Sequence, residues 1–308
     1  MKAEFIRKVE EVVGLKGCGR GQDALELYSA DASRCEGRAE LVVFPDTTDQ
    51  ISTVAALCNH HRVPLTVRGA GTGSTGGAVP SQGGILLAME RFSRIIEIDQ
   101  VNLLAIVEPN VVTGELQKMV ESIGLFYPPD PASLNRCAIG GNIAECAGGP
   151  RAFKYGTTKR YVLGLEAVLA TGEIIHTGGK TVKNVVGYDL TQTLIGSEGT
   201  LAIVTKAILR LIPLPPCRET VQATFRHVDD AVGAMIELVK ARVIPSALEL
   251  IDLESLEAVA RYLDDRTLAP AGTAAMLLLE VDGLPETVRE EAARVEDACR
   301  RVGAETVR

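Results

Sequence analysis

The feature that most constrains the fold of this chain is a glycine-rich loop that directly follows a predicted strand. Residues 64–77 read PLTVRGAGTGSTGG, so the apolar run Leu65–Val67 leads into glycines at positions 69, 71, 73, 76 and 77. Glycine is used where the backbone needs a positive φ or must approach a ligand closely. Successive amides in such a turn can form a nest that binds an anion, and Arg68 adds a positive charge. The stretch predicts a pyrophosphate-binding loop, with a tight surface turn as the alternative.

Two common nucleotide motifs do not fit this chain. Gly71, Gly73 and Gly76 match the G-x-G-x-x-G pattern of dinucleotide-binding domains, but that pattern needs a helix to open at the loop. Pro80 and a Gly-Gly pair at 83–84 occupy the place of that helix. The run Gly178–Thr181 lacks the first glycine of a P-loop, where Ile174 stands instead.

Composition narrows the class of protein further. The net charge of −8 argues against a nucleic-acid partner, because binding to phosphate backbones needs a basic surface. No apolar run is long enough for a transmembrane segment, and the N-terminus has no signal-peptide core. Seven cysteines without paired spacing predict reduced thiols in a cytoplasmic protein and no readable metal site.

The hydrophobic pattern predicts an α+β chain of two domains. A strand at 41–44, a helix to about residue 61 and the strand at 65–67 form a β-α-β unit, with Thr47 and Gln50 as a capping box. Further short strands and helices lead to a proline cluster at 213–216, which we take as the domain boundary. Alternating strands and helices follow in a small α+β cap. The proline- and glycine-rich stretch 127–150 is expected to be irregular and to lie against a ligand, with an ordinary surface loop as the alternative.

Several ordered motifs resemble one flavoprotein family. Beside Arg68–Gly73, these are Pro128–Pro131, Ile139–Asn142, Lys154–Gly156 and Gly196–Thr200. They are similar to the flavoprotein subunit of bacterial glycolate oxidase and to FAD-linked D-lactate and D-2-hydroxyacid dehydrogenases. The resemblance implies a p-cresol-methylhydroxylase-type (PCMH-type) FAD domain over residues 1–214, with a small β-α-β subdomain and a larger mixed or antiparallel sheet. Part of a substrate cap would fill residues 215–308.

The resemblance also implies the cofactor contacts. The pyrophosphate of FAD would be held by Arg68, Gly69, Ala70, Gly71, Thr72, Gly73 and Ser74. The flavin and its ribityl chain would be lined by Pro131, Ser133, Gly140, Gly141, Gly148, Tyr155 and Gly156. Glu198, Gly199 and Ile203 would approach the adenosine. Cys137–Ala138 and Cys146 depart from the family pattern; the two cysteines are interpreted as small packing residues rather than redox thiols.

The implied reaction is oxidation of a 2-hydroxy acid to a 2-keto acid, with hydride passing to the flavin while a base takes the hydroxyl proton. The electrons would go to a separate iron–sulfur subunit or electron-transfer flavoprotein, which could hold this cytoplasmic chain at the inner membrane. The resemblance places the histidine metal motif and the catalytic base beyond residue 308, so we assign no catalytic or metal-binding residue. The resemblance therefore implies that residues 1–308 form an FAD site but do not turn over a hydroxy acid by themselves. It also implies unpaired strand edges in the cap, which favour self-association or weak FAD affinity. Another hydroxylated substrate, or a non-catalytic FAD-binding subunit, remains an alternative.

We predict that the flavin is FAD, bound without a covalent link. Histidyl-linked relatives carry the linking histidine where this chain has Thr72. Acid precipitation of the purified chain should therefore leave a colourless pellet, and chromatography of the supernatant should identify FAD. A yellow pellet, or FMN in the supernatant, would contradict the prediction.

Overall fold

The computed structural model describes residues 1–308, except for the side chain of Arg266. The chain divides into two compact units, Met1–Ala147 with Thr157–Pro213, and Gly148–Gly156 with Leu214–Arg308. The last crossing of the chain between the units falls inside the proline cluster at 213–216. The division drawn from the sequence at 214/215 kept Gly148–Gly156 in the first domain, whereas the structure groups that segment with the second unit.

The elements follow one another in mixed order. The helices are α1 (Ala3–Val13), α2 (Gln22–Leu27), α3 (Thr48–His61), α4 (Thr113–Glu121), α5 (Ile139–Glu145), α6 (Ala152–Tyr155), α7 (Leu190–Leu194), α8 (Val228–Lys240), α9 (Leu253–Leu263) and α10 (Pro285–Arg301). The strands are β1 (Cys18–Gly19), β2 (Leu41–Val43), β3 (Leu65–Arg68), β4 (Ile85–Ala88), β5 (Ile95–Asp99), β6 (Leu104–Val107), β7 (Leu125–Phe126), β8 (Val162–Leu169), β9 (Ile174–Gly178), β10 (Ala202–Arg210), β11 (Ile212–Pro213), β12 (Cys217–Phe225), β13 (Ala247–Asp252), β14 (Ala275–Gly283) and β15 (Thr306–Val307). This arrangement confirms the predicted α+β class.

A four-stranded sheet of order β1-β2-β4-β3 carries the glycine loop at the end of β3. Strands β2 and β3 both pair in parallel with β4, so β4 lies between the two strands of the predicted β-α-β unit. All four residues of β4 are buried, as expected for a central parallel strand covered on both faces. Apolar side chains of α1 and α3 form the core on one face, together with Val168 and Ile203.

The capping box predicted before α3 forms in part. The hydroxyl of Thr47 accepts a hydrogen bond from the amide of Gln50 at 3.3 Å, as a helix N-cap residue should. The side chain of Gln50 accepts from the amide of Asp46, at 2.6 Å, rather than from that of Thr47. Both bonds fix the point at which the chain enters the helix.

The larger sheet of the first unit is antiparallel, with order β5-β6-β10-β8-β9. The predicted hairpin of β8 and β9 is confirmed. A second small sheet pairs β7 with β11. Among the described residues, no helix combines the length and the low charge that a membrane span requires.

The second unit is a four-stranded antiparallel sheet of order β13-β14-β12-β15. Inward side chains of β12 and β14, among them Phe225 and Leu277, pack against α8 and α10. Its short edge strand β15 pairs with Ala223 and Thr224 of β12, and Arg308 continues the pairing through two backbone hydrogen bonds with Gln222.

A glutamate in β8 ties helix α3 to the larger sheet. Glu166 accepts hydrogen bonds from Thr48 in the first turn of α3, at 2.9 Å, and from Thr205 on β10, at 2.8 Å. Lys206 and His176, its neighbours across the two adjacent strands, contact the same carboxylate at 2.8 and 3.2 Å. Burial raises the pKa of Glu166, but the hydrogen bonds from Lys206, Thr205 and Thr48 outweigh it and lower the pKa to about 2.

We predict that Glu166→Gln lowers the free energy of unfolding at neutral pH by about 1–3 kcal/mol, since a charged acceptor of several hydrogen bonds is lost. A carboxylate with a lowered pKa contributes stability above its unfolded value near pH 4.3, and that contribution disappears as the pH falls towards about 2. Denaturant unfolding should therefore show a difference between the two proteins that is full at pH 7 and shrinks below about pH 4.

Glu173→Gln provides the matched control. Glu173 is an exposed residue at the turn of the same hairpin, and we expect little change in stability from it. An equal effect of both substitutions, or a Glu166→Gln effect that does not depend on pH, would contradict the role assigned to Glu166.

Candidate functional site

The glycine loop leaves β3 without entering a helix, and its backbone donors are unpaired. Within the described structure, the amides of residues 70–75 donate to no protein acceptor. Gly71 and Gly76 take positive φ values, 64° and 83°, which L-residues rarely adopt. Unpaired consecutive amides are the donors that an anion nest requires. The missing helix also confirms that the G-x-G-x-x-G match is not a dinucleotide-binding fingerprint.

The residues that carry these amides line a pocket of about 270 Å³, and the whole pocket lies within the first unit. Four segments contribute most of its lining: the glycine loop, residues 131–133, the region of α5, and residues 194–204. Single residues complete the lining, namely Asp31, Val67, Met89 and Pro109. The pocket brings together most of the predicted cofactor residues, namely Gly69, Ala70, Gly71, Thr72, Gly73, Ser74, Pro131, Ser133, Gly140, Gly141, Glu198, Gly199 and Ile203. Residues far apart in the sequence therefore converge on one cavity.

Arg68 braces the loop from outside this pocket. Its Nη1 donates to the carbonyl of Ala30 at 2.8 Å and to that of Ala78 at 3.4 Å, and its guanidinium lies over the ring of Tyr28. A Cβ at Gly71 would overlap the same guanidinium. Arg68 lines a neighbouring cavity of about 330 Å³ instead. Arg68 therefore stabilises the loop through hydrogen bonds, whereas the sequence analysis had considered only its positive charge.

Helix α5 corrects the expectation that residues 127–150 are irregular. Ile139–Glu145 is helical despite its two glycines, because tertiary packing outweighs their low helix propensity. A Cβ at Gly140 would lie 2.6 Å from the Cβ of Pro109, so only glycine allows this approach. The buried side chain of Asn142 donates to the hydroxyl of Thr113 at 2.6 Å and fixes the helix in place.

The loop before β10 completes the end of α5. The amides of Gly196 and Glu198 donate to the carbonyls of Ile143 and Ala144, both at 2.9 Å. These carbonyls lie in the last turn of the helix, where carbonyls lack helical partners. Glu198 itself takes a positive φ of 53°. This pairing places Glu198 and Gly199 beside Glu145 in the pocket lining.

Two further carboxylates in the pocket were missed by the sequence analysis. Glu145 accepts a hydrogen bond from the hydroxyl of Thr75 at 2.7 Å, and its Oε1 lies 3.5 Å from where a Cβ of Gly73 would stand. Asp31 reaches the pocket from a turn that precedes β2. No local pattern marks Glu145, because its partner Thr75 lies 70 positions away in the chain. The bonds of Asp31 to Ser33 are local, but they do not reveal that Asp31 lines the pocket.

The pocket is consequently rich in carboxylates. Asp31, Glu145 and Glu198 line it, and among the residues described there it has no lysine, arginine or histidine. Any negative charge on a ligand would be met by backbone amides and by the hydroxyls of Thr72 and Ser74, not by ion pairs, since the hydroxyl of Thr75 donates to Glu145.

The two cysteines near the pocket contact threonine hydroxyls. Cys137 is buried, and its Sγ lies 3.4 Å from the hydroxyl of Thr113. Cys146 ends α5 with a φ of 52° and contacts the hydroxyl of Thr157 at 3.3 Å. Both thiols are free.

Gly148, Tyr155 and Gly156 belong to the second unit. There the hydroxyl of Tyr155 donates to Oδ2 of Asp282 at 2.7 Å, and Nζ of Lys154 contacts Oδ1 of the same buried carboxylate at 2.5 Å. The Lys-Tyr-Gly motif therefore attaches its segment to β14.

Comparison with known proteins agrees with this geometry. Residues 39–178 match the model of an FAD binding domain, and residues 214–308 match that of the C-terminal domain of FAD linked oxidases. The chain is 44% identical over 282 residues to glycolate oxidase subunit GlcD of Bacillus subtilis, which covers 91% of this chain and 60% of that protein. It is 38% identical over 255 residues to a D-lactate dehydrogenase of Archaeoglobus fulgidus, covering 83% and 56% respectively. The chain thus spans about 60% of the length of these relatives.

Solved structures share the fold at lower identity. An alkyldihydroxyacetonephosphate synthase matches 99% of this chain and 60% of its own, with a TM-score of 0.83 at 20% identity. A p-cresol methylhydroxylase matches 99% of this chain and 65% of its own length, with a TM-score of 0.79 at 18% identity. These likenesses confirm the PCMH-type fold predicted from the sequence. On its two domain matches and its relatives, the chain belongs to the family of FAD-linked oxidases, whose cofactor is FAD.

Proposed function

We propose that the pocket of the first unit binds FAD without a covalent bond, with the amides of residues 70–75 facing the pyrophosphate. The observation that carries this proposal is the run of unpaired amides on consecutive residues that line the pocket. A pyrophosphate is an acceptor of many hydrogen bonds, so it complements that run. In this arrangement Pro131, Ser133, Gly140 and Gly141 would line the flavin or ribityl chain, and Glu198, Gly199 and Ile203 the adenosine.

The side chains of the pocket support non-covalent binding. Thr72 stands where histidyl-linked relatives carry their linking residue, and the described lining holds neither histidine nor cysteine. The glycines keep the loop free of side chains where the cofactor would approach. The fit therefore relies on backbone donors and shape.

The activity we propose for the whole protein is oxidation of a 2-hydroxy acid, of the glycolate or D-lactate class, to its 2-keto acid. When bound, FAD supplies the two-electron acceptor for that oxidation. The residues of this chain would bind and orient the cofactor and hold water away from it. The names of the relatives, glycolate oxidase subunit and D-lactate dehydrogenase, support this substrate class. The word subunit supports assembly with other chains, for which an iron–sulfur protein or an electron-transfer flavoprotein is our proposal.

We predict that Gly71→Val abolishes flavin binding. A β-branched residue is strained at a φ of 64°, and its Cβ would displace the guanidinium of Arg68 that braces the loop. Gly71→Ala should weaken binding in the same direction. Flavin content per protein and the dissociation constant for added FAD give the measurement, and circular dichroism shows whether each variant is folded.

Gly179→Ala is the control for this series. Gly179 lies outside the pocket, has no positive φ, and has open space where a Cβ would stand. The Gly179→Ala variant should bind FAD with the affinity of the unchanged chain. A folded Gly71→Val or Gly71→Ala variant with normal FAD affinity would refute the nest.

The substrate class is tested in a chimera. Residues 1–308 would replace the matching segment of the Bacillus subtilis glycolate oxidase subunit. The FAD-loaded chimera should be bleached by glycolate or D-lactate under anaerobic conditions, and much more slowly by L-lactate. A chimera that binds FAD but stays oxidised with both acids would contradict the proposed activity and favour a non-catalytic FAD-binding subunit.

A further inference from the structure

A turn that precedes β2 packs against the glycine loop. This turn, residues 29–37, is closed by the amide of Gly37, which donates to the carbonyl of Ser29 at 2.8 Å. Arg68 holds it through the carbonyl of Ala30. The hydroxyl of Ser33 lies 3.6 Å from where a Cβ of Gly76 would stand, so the turn and the loop are in close contact.

The carboxylate of Asp31 is used only in part by the protein. Its Oδ1 accepts hydrogen bonds from the amide of Ser33, at 2.8 Å, and from the hydroxyl of Ser33. Its Oδ2 is buried and has no hydrogen-bond partner among the described residues, although Asp31 lines the pocket. A buried acceptor without a donor destabilises a fold unless a ligand or an ordered water satisfies it.

We propose that Oδ2 of Asp31 accepts a hydrogen bond from a sugar hydroxyl of FAD, on the ribityl chain or on the ribose. This inference rests on the proposed function, since it assumes that FAD occupies the pocket. An ionised carboxylate is an acceptor only, so its complement in the ligand must be a donor. The pyrophosphate has no donor and carries negative charge, which excludes it as the partner of Asp31.

The position of the turn narrows the choice of donor. The turn contacts the glycine loop, where the pyrophosphate is proposed to lie, and the ribityl chain and the ribose are attached to either side of that pyrophosphate. Their hydroxyls are therefore the donors nearest to a carboxylate at this place. The adenine amino group and the flavin N3–H lie at the far ends of the cofactor.

Asp31 would then have two functions in one side chain. Through Oδ1 it shapes the turn, and through Oδ2 it recognises the cofactor. It would also disfavour a ligand that carries a phosphate in place of the recognised hydroxyl, because two negative charges would meet without water between them.

The test measures dissociation constants of the flavin-free chain by fluorescence titration. The ligands are FAD and a panel of FAD analogues that each lack one hydroxyl of the ribityl chain or of the ribose. The proteins are the unchanged chain, Asp31→Ala and, as a matched control, Ser33→Ala, which removes one bond to Oδ1 and keeps Oδ2. Failure of the unchanged chain to bind FAD would refute the proposed function itself.

We expect Asp31→Ala to weaken FAD binding about tenfold or more, the usual effect of losing a hydrogen bond to a charged group. The analogue that lacks the hydroxyl bound by Asp31 has no such bond to lose, so for it Asp31→Ala should change the dissociation constant about twofold or less. That analogue identifies whether the donor belongs to the ribityl chain or to the ribose. Ser33→Ala should change all the constants by about twofold or less. An Asp31→Ala effect that is equal across the whole panel, or absent with FAD, would overturn the proposal.

Discussion

The arrangement of the pocket depends on how Arg68 uses its guanidinium. Its Nη1 donates to the carbonyl of Ala30, in the turn before β2, and to that of Ala78, directly after the glycine loop, so a single side chain holds the loop and the turn together. The planar face lies over Tyr28, whose hydroxyl bonds Glu90. A lysine could not replace this contact, because its ammonium lacks the planar fork and the stacking face of arginine. Gly71 is the complement of this brace, since any side chain there would occupy the space of the guanidinium.

Because Arg68 braces the loop from outside, an anion in the pocket would meet backbone and hydroxyl dipoles instead of positively charged side chains. Backbone amides are fixed by the fold, whereas a long cationic side chain must be ordered at an entropic cost when it binds. The carboxylates of Asp31, Glu145 and Glu198 add negative charge nearby. Such a lining suits a ligand that combines a pyrophosphate with several hydroxyls, and it is unfavourable for a ligand with more phosphates. The chemistry of the donors and acceptors therefore matches the cofactor of the family.

Hydrophobic periodicity and turn residues were sufficient to predict the elements that depend on neighbouring residues in the sequence. The strand before the glycine loop, the helix capped by Thr47 and the hairpin of β8 and β9 follow from periodicity and turn residues. Helix α5 was missed because two glycines argue against a helix, and what stabilises it is the approach to Pro109 and the bond between Asn142 and Thr113. Motifs located most of the pocket, but Glu145 depends on Thr75, 70 positions away, and Asp31 on contacts of its turn with the loop. Such pairings are set by tertiary structure and leave no trace in local sequence.

The excursion of residues 148–156 into the second unit has a consequence for synthesis on the ribosome. Lys154 and Tyr155 are separated from Asp282 by 128 and 127 positions. At about 5–20 residues per second, the segment waits roughly 6–25 s after it is made before its carboxylate partner is translated. Meanwhile the amide and hydroxyl of Thr158, which both donate to the carbonyl of Ala147, can already close the base of the excursion in the first unit. Translation therefore imposes an order of assembly in which a tethered, hydrated segment precedes the sheet that receives it.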